Sequence, residues 1–332
     1  MHIGALLPHT RLYGGVKRFI ELGRIFQEKG HRFTIYTPSG EPPDWTDHDL
    51  RYATFNDLVK VELDMLFTTD RKHKNLMLGA NARYKIYYHV GLRHKSRIMV
   101  RDKRFHIFAC STNVYRHDRF WFRRTPFLAA GGINCGLFYP RIPEDRKPCD
   151  PFTIMLYGRM SEGVKGTDMV VKACERLYAK YPFIRLLLFD TPVNPTMEAL
   201  DRSFTTFIPF EFVFNHPVKQ NVELFHRADL FVSAEKQTGW ANTVAEAMAS
   251  GIPVVATRSG TLDMLVDGEN GLLVKRKINS LARGIEKLML SDELRRKFSR
   301  NGSEYIKKFD WRNLADRILQ WYENQERSLK NS

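Results

Sequence analysis

The sequence predicts an α/β protein of two Rossmann-like, doubly wound domains facing one another across a central cleft. Three observations carry this. Two segments about 150 residues apart repeat one plan of strand, glycine-bearing loop, helix and strand. A third stretch, Ala228 to Gly260, reads strand, polar loop, short helix, strand, with the loop at a carboxyl-terminal strand end, where open α/β sheets bind ligands. The length of 332 residues is long for one hydrophobic core and suits two.

In chain order, the first segment opens with a strand over His2–Leu7 and a loop ending in Gly14-Gly15. A helix over Val16–Lys29 follows, with Val16, Phe19, Ile20 and Phe26 near one face, then an alternating strand over Arg32–Thr37. Leu66–Thr69, Lys85–His89 and His106–Cys110 read as further strands. Four prolines mark Tyr139–Pro151 as a linker and place the domains at 1–145 and 146–312, with a terminal helix over 313–332. The second segment has a strand over Phe152–Tyr157, a loop with Gly158, Gly163 and Gly166, a helix over Thr167–Tyr181 and a strand over Arg185–Phe189. Phe207–Phe214 reads as a strand and Lys219–Arg227 as a helix. In the third stretch Leu230–Val232 is a buried strand, Thr243–Ser250 a helix ended by Gly251 and Pro253, and Val254–Thr257 a strand. A turn and short strand at Gly268–Val274 and helices near Asn279–Leu290 and Asp292–Lys308 complete it. The last helix starts at Asp310, a good N-cap, with Trp311, Leu314, Ile318, Leu319 and Tyr322 on its apolar face.

Composition excludes several classes. Hydrophobic content of 43% and charged content of 27% describe a globular chain, and no run approaches the roughly 20 apolar residues of a membrane span. The start MHIGALLP reads as a strand, not a signal peptide. The four cysteines show no metal-site spacing and are expected as reduced thiols in a cytoplasmic protein. Asp47-His48-Asp49 spells D-x-D but sits in a proline-flanked surface loop, and no metal is expected. Neither glycine loop reads G-x-G-x-x-G, so no dinucleotide cofactor is expected either. The net charge of +15 is concentrated, because Arg71 to Arg124 holds 15 Lys/Arg against Asp102 and Asp118, a balance of +13. Such a block suits nucleic acid, an anionic membrane or an anionic substrate, though no nucleic-acid-binding motif accompanies it.

Several residues admit two roles. Gly14 and Gly15 permit a tight turn, or let backbone N–H groups approach a phosphate. Arg159 and Lys165, in Tyr157-Gly158-Arg159-Met160 and Lys165-Gly166, are solvated loop cations or a clamp on a diphosphate. As loop residues, both should be replaceable without loss of folding. Backbone N–H groups at Asn242 and Thr243 open a helix and suit phosphate. Thr243-Val244-Ala245-Glu246 fits a capping box, yet Glu246 can also meet ribose hydroxyls. His89 is either a structural strand-end histidine or a ligand-facing one, with His94 as competitor.

Glu246 to Thr257, EAMASGIPVVAT, resembles the donor-site motif of retaining nucleotide-sugar glycosyltransferases of the GT-B fold, specifically glycosyltransferase family 4. Gly14-Gly15, the Gly158-Arg159 and Lys165-Gly166 element, and Ile133 to Pro140 are similar to further stretches of that family. The resemblance runs over about Met1 to Tyr322, strongest in 152–275. It implies transfer of a sugar, with retention, from a nucleoside diphosphate sugar to a cell-surface or lipid-linked glycan acceptor, without metal. Arg159 and Lys165 would steady the departing diphosphate, Glu246 would hold the ribose, and His89 would contact the transferred sugar. The acceptor would bind the N-terminal domain, the nucleotide the C-terminal one, and the last helix would cross back to the N-terminal domain. The basic block would rest against an anionic inner membrane face. Two departures stand out: Asn134 replaces a usual aspartate, and Thr238 stands where the family has a second, sugar-binding glutamate, with Glu235 and Gln237 out of register. A nucleotide-sugar epimerase of the same fold and a basic nucleic-acid-binding protein are the alternatives.

Overall fold

A computed structural model describes residues 1–46, 49–92, 94–141, 150–192 and 194–331. The chain forms two compact units, one of Met1–Gly132 with Phe309–Ser332 and the other of Ile133–Lys308. The divisions fall at 132/133 and 308/309, against the expected 145/146 and 312/313. Most of the expected linker, 142–149, and Asp47-His48 of the D-x-D triplet lie outside the described residues.

The first unit runs β1 (His2–Leu6), α1 (Gly14–Glu28), β2 (Arg32–Thr37), β3 (Arg51–Thr54), β4 (Leu63–Thr68) and α2 (Lys74–Gly79). It continues with β5 (Ala82–His89), α3 (Arg97–Val100), β6 (His106–Ala109), α4 (Thr112–Trp121) and β7 (Phe127–Leu128). Its described strands pair in parallel in the order β3-β2-β1-β4-β5-β6-β7. The inner strands are apolar because helices cover both faces: Ile3, Ala5, Leu6, Leu66, Phe67, Ile86 and Tyr88 are all buried. Helix α1 starts at Gly14 itself, two residues before the expected start at Val16, so the glycine pair forms its first turn. Neither glycine has a positive φ, which removes the tight-turn role. A side chain at Gly23, further along α1, would come within 2.5 Å of the Phe33 ring, so the helix lies close on β2.

The second unit runs β8 (Phe152–Tyr157), α5 (Thr167–Tyr178), β9 (Ile184–Asp190), α6 (Pro195–Arg202), β10 (Phe210–Phe214) and α7 (Asn221–His226). Then come β11 (Leu230–Ser233), α8 (Asn242–Ala249), β12 (Val254–Ala256), β13 (Leu272–Leu273), α9 (Ile278–Met289) and α10 (Asp292–Ile306). Its sheet is again parallel, ordered β10-β9-β8-β11-β12-β13. Val170, Ala173, Cys174 and Leu177 of α5 pack with Leu281, Ile285 and Leu288 of α9 against the strand residues Ile154, Leu186 and Val232. Cys110 and Cys174 are buried and Cys135 is half-buried, and none of the three forms a disulfide; Cys149 lies outside the described residues.

The last helix, α11 (Trp311–Lys330), belongs to the first unit. The Asp310 carboxylate caps it by accepting from Arg312 N at 2.8 Å. Trp311, Leu314, Ala315 and Ile318 are buried. Tyr322 Oη donates to Asp64 at 3.1 Å, Tyr84 Oη donates to Glu326 at 2.8 Å, and the Trp321 ring lies 4.8 Å from that of Phe108. Gly132 meets the helix start closely. Its φ is +132°, and a Cβ there would sit 2.4 Å from the Trp311 ring.

Candidate active site

In a parallel sheet the strand order reverses at one point, and the loops leaving the strands on either side of it diverge to open a crevice. In the second unit that point lies between β8 and β11. Loop 158–166, with Arg159 and Lys165, leaves β8, and loop 234–241, with Thr238, leaves β11 and leads into α8, which carries Asn242, Thr243 and Glu246. The two loops touch: Lys236 N donates to Val164 O at 2.7 Å. Gly166, at φ +72°, is what lets them do so, since a Cβ would fall 2.5 Å from Ala234 O. Arg276 ties both loops, donating from Nε to Ala234 O and from Nη2 to Gly163 O, each at 2.8 Å.

Arg159 is not a solvated loop cation. It is 7% exposed, and Nε and Nη2 form a bidentate pair with Asp190 at 3.0 and 2.9 Å. Nη2 also donates to Thr191 O at 3.0 Å. Only Nη1, 3.4 Å from Glu162, is loosely held. The expectation that Arg159 could be removed without loss of folding is therefore corrected, because Asp190 is buried and would lose its partner. Both cations lie over the Tyr157 ring, Arg159 at 5.3 Å and Lys165 at 5.4 Å from its centroid. Burial, then the Asp190 charge, pushes the Tyr157 hydroxyl pKa well up.

Lys165 Nζ lies 3.2 Å from Glu235, whose other carboxylate oxygen accepts from the Thr238 hydroxyl. Glu235 is buried and sits at the centre of this cluster. Its position in the sequence, three residues ahead of Thr238, gave no sign of that, because the intervening turn brings the two side chains together. Gln237 in that turn has φ +62°, a conformation that costs a non-glycine residue energy.

Helix α8 begins at Asn242, with Ala241 as its N-cap and no side-chain cap. Thr243 is thus inside the helix, and its buried hydroxyl makes no hydrogen bond among the described residues. The Thr243 half of a capping box is not formed, and Glu246 lies buried in the second turn. In loop 158–166 the Ser161 hydroxyl is likewise buried and unpartnered among the described residues, a feature that nothing in the sequence marked.

In the first unit the strand order reverses between β1 and β4. Gly14 and Gly15 open α1 after β1, and a Cβ on Gly15 would lie 3.2 Å from the Thr69 hydroxyl, just past β4. His89 ends β5, 1% exposed. Its Nδ1 lies 2.9 Å from both oxygens of Asp118, a fully buried carboxylate that His117 Nδ1 also meets at 3.2 Å. An ionised carboxylate only accepts, so the proton sits on Nδ1 of His89. Nε2 is buried with no hydrogen bond among the described residues. His94, the competitor, is exposed. Asp118 was read only as one of two acids in a basic block, because i, i+29 spacing is silent in a sequence.

Among the described residues no group of three or more His, Cys, Asp or Glu is placed to hold a metal ion. Residues 141–305, just under half of the chain, match the family model of glycosyl transferases group 1. An uncharacterised glycosyltransferase of Methanocaldococcus jannaschii is 35% identical over 29% of this chain and 28% of its own. The chain spans less than half the length of the curated relatives it first matches. Sucrose-phosphate synthase from Thermosynechococcus elongatus superposes with TM-score 0.79 at 18% identity, over 99% of this chain and 100% of that one. Anabaena HepE in complex with UDP gives TM-score 0.78 at 15% identity, over 98% and 100%. The fold is the expected α/β one, two Rossmann-like units of the GT-B class.

Proposed function

We propose that the protein is a glycosyltransferase that moves a sugar, with retention and without metal or cofactor, from a nucleoside diphosphate sugar to a glycan or lipid-linked acceptor. The observation that supports this is that the loops on either side of the strand-order reversal in the second unit touch, Lys165 of one meeting buried Glu235 of the other, and that α8 starts at the end of the second loop without a side-chain cap. The family match over 141–305 and the similarity in fold to a protein bound to UDP support the same reading.

The glycosidic C1–O bond to the diphosphate breaks, and the acceptor hydroxyl oxygen forms the new C1–O bond on the same face. Its proton passes to the departing diphosphate. Arg159, through Nη1, and Lys165 stabilise the charge that grows on that leaving group, and the N–H groups of Asn242 and Thr243 add the positive end of α8. Glu246 accepts from ribose hydroxyls. Gly14 and Gly15 keep the start of α1 bare for the phosphate, and Nε2 of His89, its ring fixed by Asp118, orients the transferred sugar. Lys165 must first leave Glu235, or share itself with it. Thr238 acts on the donor sugar through Glu235, which supplies the carboxylate that position 238 lacks.

The acceptor reading includes an anionic membrane surface at the cytoplasmic face. Among the described residues no helix is long and apolar enough to cross a membrane. Most aromatic residues of the basic block are core, since Tyr84, Tyr87, Tyr88, Phe105, Phe108 and Phe122 are buried. What remains outside is Ile98, Phe120 at 69% and Trp121 at 56% exposure. Exposed Lys95, Arg97, Arg101, Arg104, Arg119 and Arg123 share the same two short helices and their flanks. Aromatic tips ringed by cations suit a peripheral, salt-sensitive attachment.

A thermal-shift screen of nucleoside diphosphates and their sugars tests the donor reading. A ligand at a hundred times its dissociation constant adds about 2.7 kcal/mol. Stabilisation by one nucleoside diphosphate, lost in Glu246→Gln, is the expected result; no response to any nucleotide would overturn it.

A further inference from the structure

Beside the donor-side loops the second unit holds a pocket of about 740 Å³, at the carboxyl ends of β11, β12 and β13. Its wall carries Lys236, Arg258, Lys275, Arg276 and Lys277 against a single carboxylate, Glu235. With Arg258 engaged by a contact of its own, the unbalanced charge of the wall comes from Lys236, Lys275, Arg276 and Lys277. Glu235 is already engaged by Lys165 and Thr238. Arg276 spends its guanidinium on the neutral carbonyls of Ala234 and Gly163, which position the charge without cancelling it. Among the described residues Lys236, Lys275 and Lys277 make no ion pair. Gathering like charges around one cavity is unfavourable unless an anion enters it. Gln237, the strained residue of loop 234–241, lines the same wall. Helix α9 also starts there, with Lys277 as N-cap, no side-chain cap and no acid in its first turn.

We propose that this pocket is a second anion-binding subsite, separate from the diphosphate loop, which takes the phosphate group of a small phosphorylated sugar. The charge selects a multiply charged group, and a cavity of this volume falls in the range that holds a whole small ligand, not one ion. Inorganic phosphate shares the recognised chemistry and is the other possible source. The anion site stands on the pocket's own residues, Glu235, Lys236 and Gln237 of the donor-side loop 234–241 among them; the choice of a sugar as the rest of the ligand rests on the glycosyltransferase reading.

Calorimetric titration of the whole chain at low salt tests it, with hexose 6-phosphate and inorganic phosphate as probes, each with and without saturating UDP. One hexose phosphate per chain is expected, with affinity unchanged by UDP. That affinity should fall tenfold or more in the exposed double variant Lys275→Ala/Lys277→Ala, and separately in Lys236→Ala on another loop. Melting curves of the variants confirm that they remain folded. Inorganic phosphate binding as tightly as the sugar phosphate assigns the site to the free ion; weaker binding assigns it to the sugar. No heat at millimolar concentration, equal affinity in wild type and both variants, or full displacement by UDP would each overturn the proposal. Failure of the donor reading registers separately, as absence of UDP binding in its own titration.

Discussion

Arg159 and Lys165 leave one loop for different surroundings, and their replacement should part accordingly. Arg159→Ala strands a buried carboxylate and should cost about 3 kcal/mol of stability besides activity. Lys165→Ala removes a partly exposed ammonium from buried Glu235, which keeps its hydrogen bond from Thr238, so it should cost less stability than Arg159→Ala, about 1 kcal/mol, while turnover falls roughly 10²-fold. Denaturant titration beside a transfer assay separates the two, and equal stability in both variants would contradict the bidentate pairing. Glu246→Gln, which keeps the length of the side chain and a carbonyl acceptor, should weaken nucleotide binding more than it lowers stability, and with Thr243 inside the helix no Thr243 cap is lost with it. Asp201 offers a pH test. One of its oxygens accepts from Met160 N at 2.8 Å, the other has no partner among the described residues, and burial pushes its pKa from 3.8 to about 6. Between those values the folded chain keeps a proton that the unfolded chain has released, so stability falls as pH rises through this window. Asp201→Asn keeps the bond to Met160 and should flatten that slope, gaining stability above pH 6. A variant with the same slope would place its origin elsewhere. The glycine pair was legible as the strand-to-helix junction after β1, though α1 begins on it and not after it. Asp118, Asp190 and Glu235 were not, because each meets its partner only through the fold.

Elements with continuous apolar runs or a clear 3.6-residue stripe were readable, and β1, β8, β11, β12, α5, α9 and α11 stand where the sequence placed them or within a few residues. Those that escaped have no such pattern. The strand β3, RYAT, is an edge strand with none of its residues fully buried. Helix α4 buries only Val114 and Asp118 of TNVYRHDRFW, so no apolar face shows in its sequence. Helix α6 did carry a start signal, Asn194 before Pro195, with the Asn194 side chain accepting from Met197 N, but it too lacks a stripe. The start of α8 moved by one residue, and that shift decides whether Thr243 caps the helix or lies within it. The loops at the strand-order reversal are set by backbone approach more than by side chains. Gly166→Ala therefore combines a forbidden φ with a collision at Ala234 O. It should lower nucleotide affinity at least tenfold while α5 and its core stay intact by circular dichroism. Unchanged affinity would mean the two loops can separate at no cost to the site.

Across the whole molecule the charge of +15 now has two addresses, the helices that carry Phe120 and Trp121 and the pocket beside β13. Sedimentation with anionic vesicles should occur at low salt and be lost at high salt, at about 1 kcal/mol per surface cation. Phe120→Ser/Trp121→Ser should weaken it, and indifference to vesicle charge would point to a soluble anionic acceptor. The placement of α11 bears on how the protein is made. The second unit is one unbroken length of chain, whereas the first is assembled from both ends of it. On the ribosome the first unit is begun before the second but can be completed only after it, once Trp311 has arrived to lie against Gly132. Until then its core lacks the apolar face that Trp311, Leu314, Ala315 and Ile318 bring, and a stop codon just after Lys308 would leave that face missing for good.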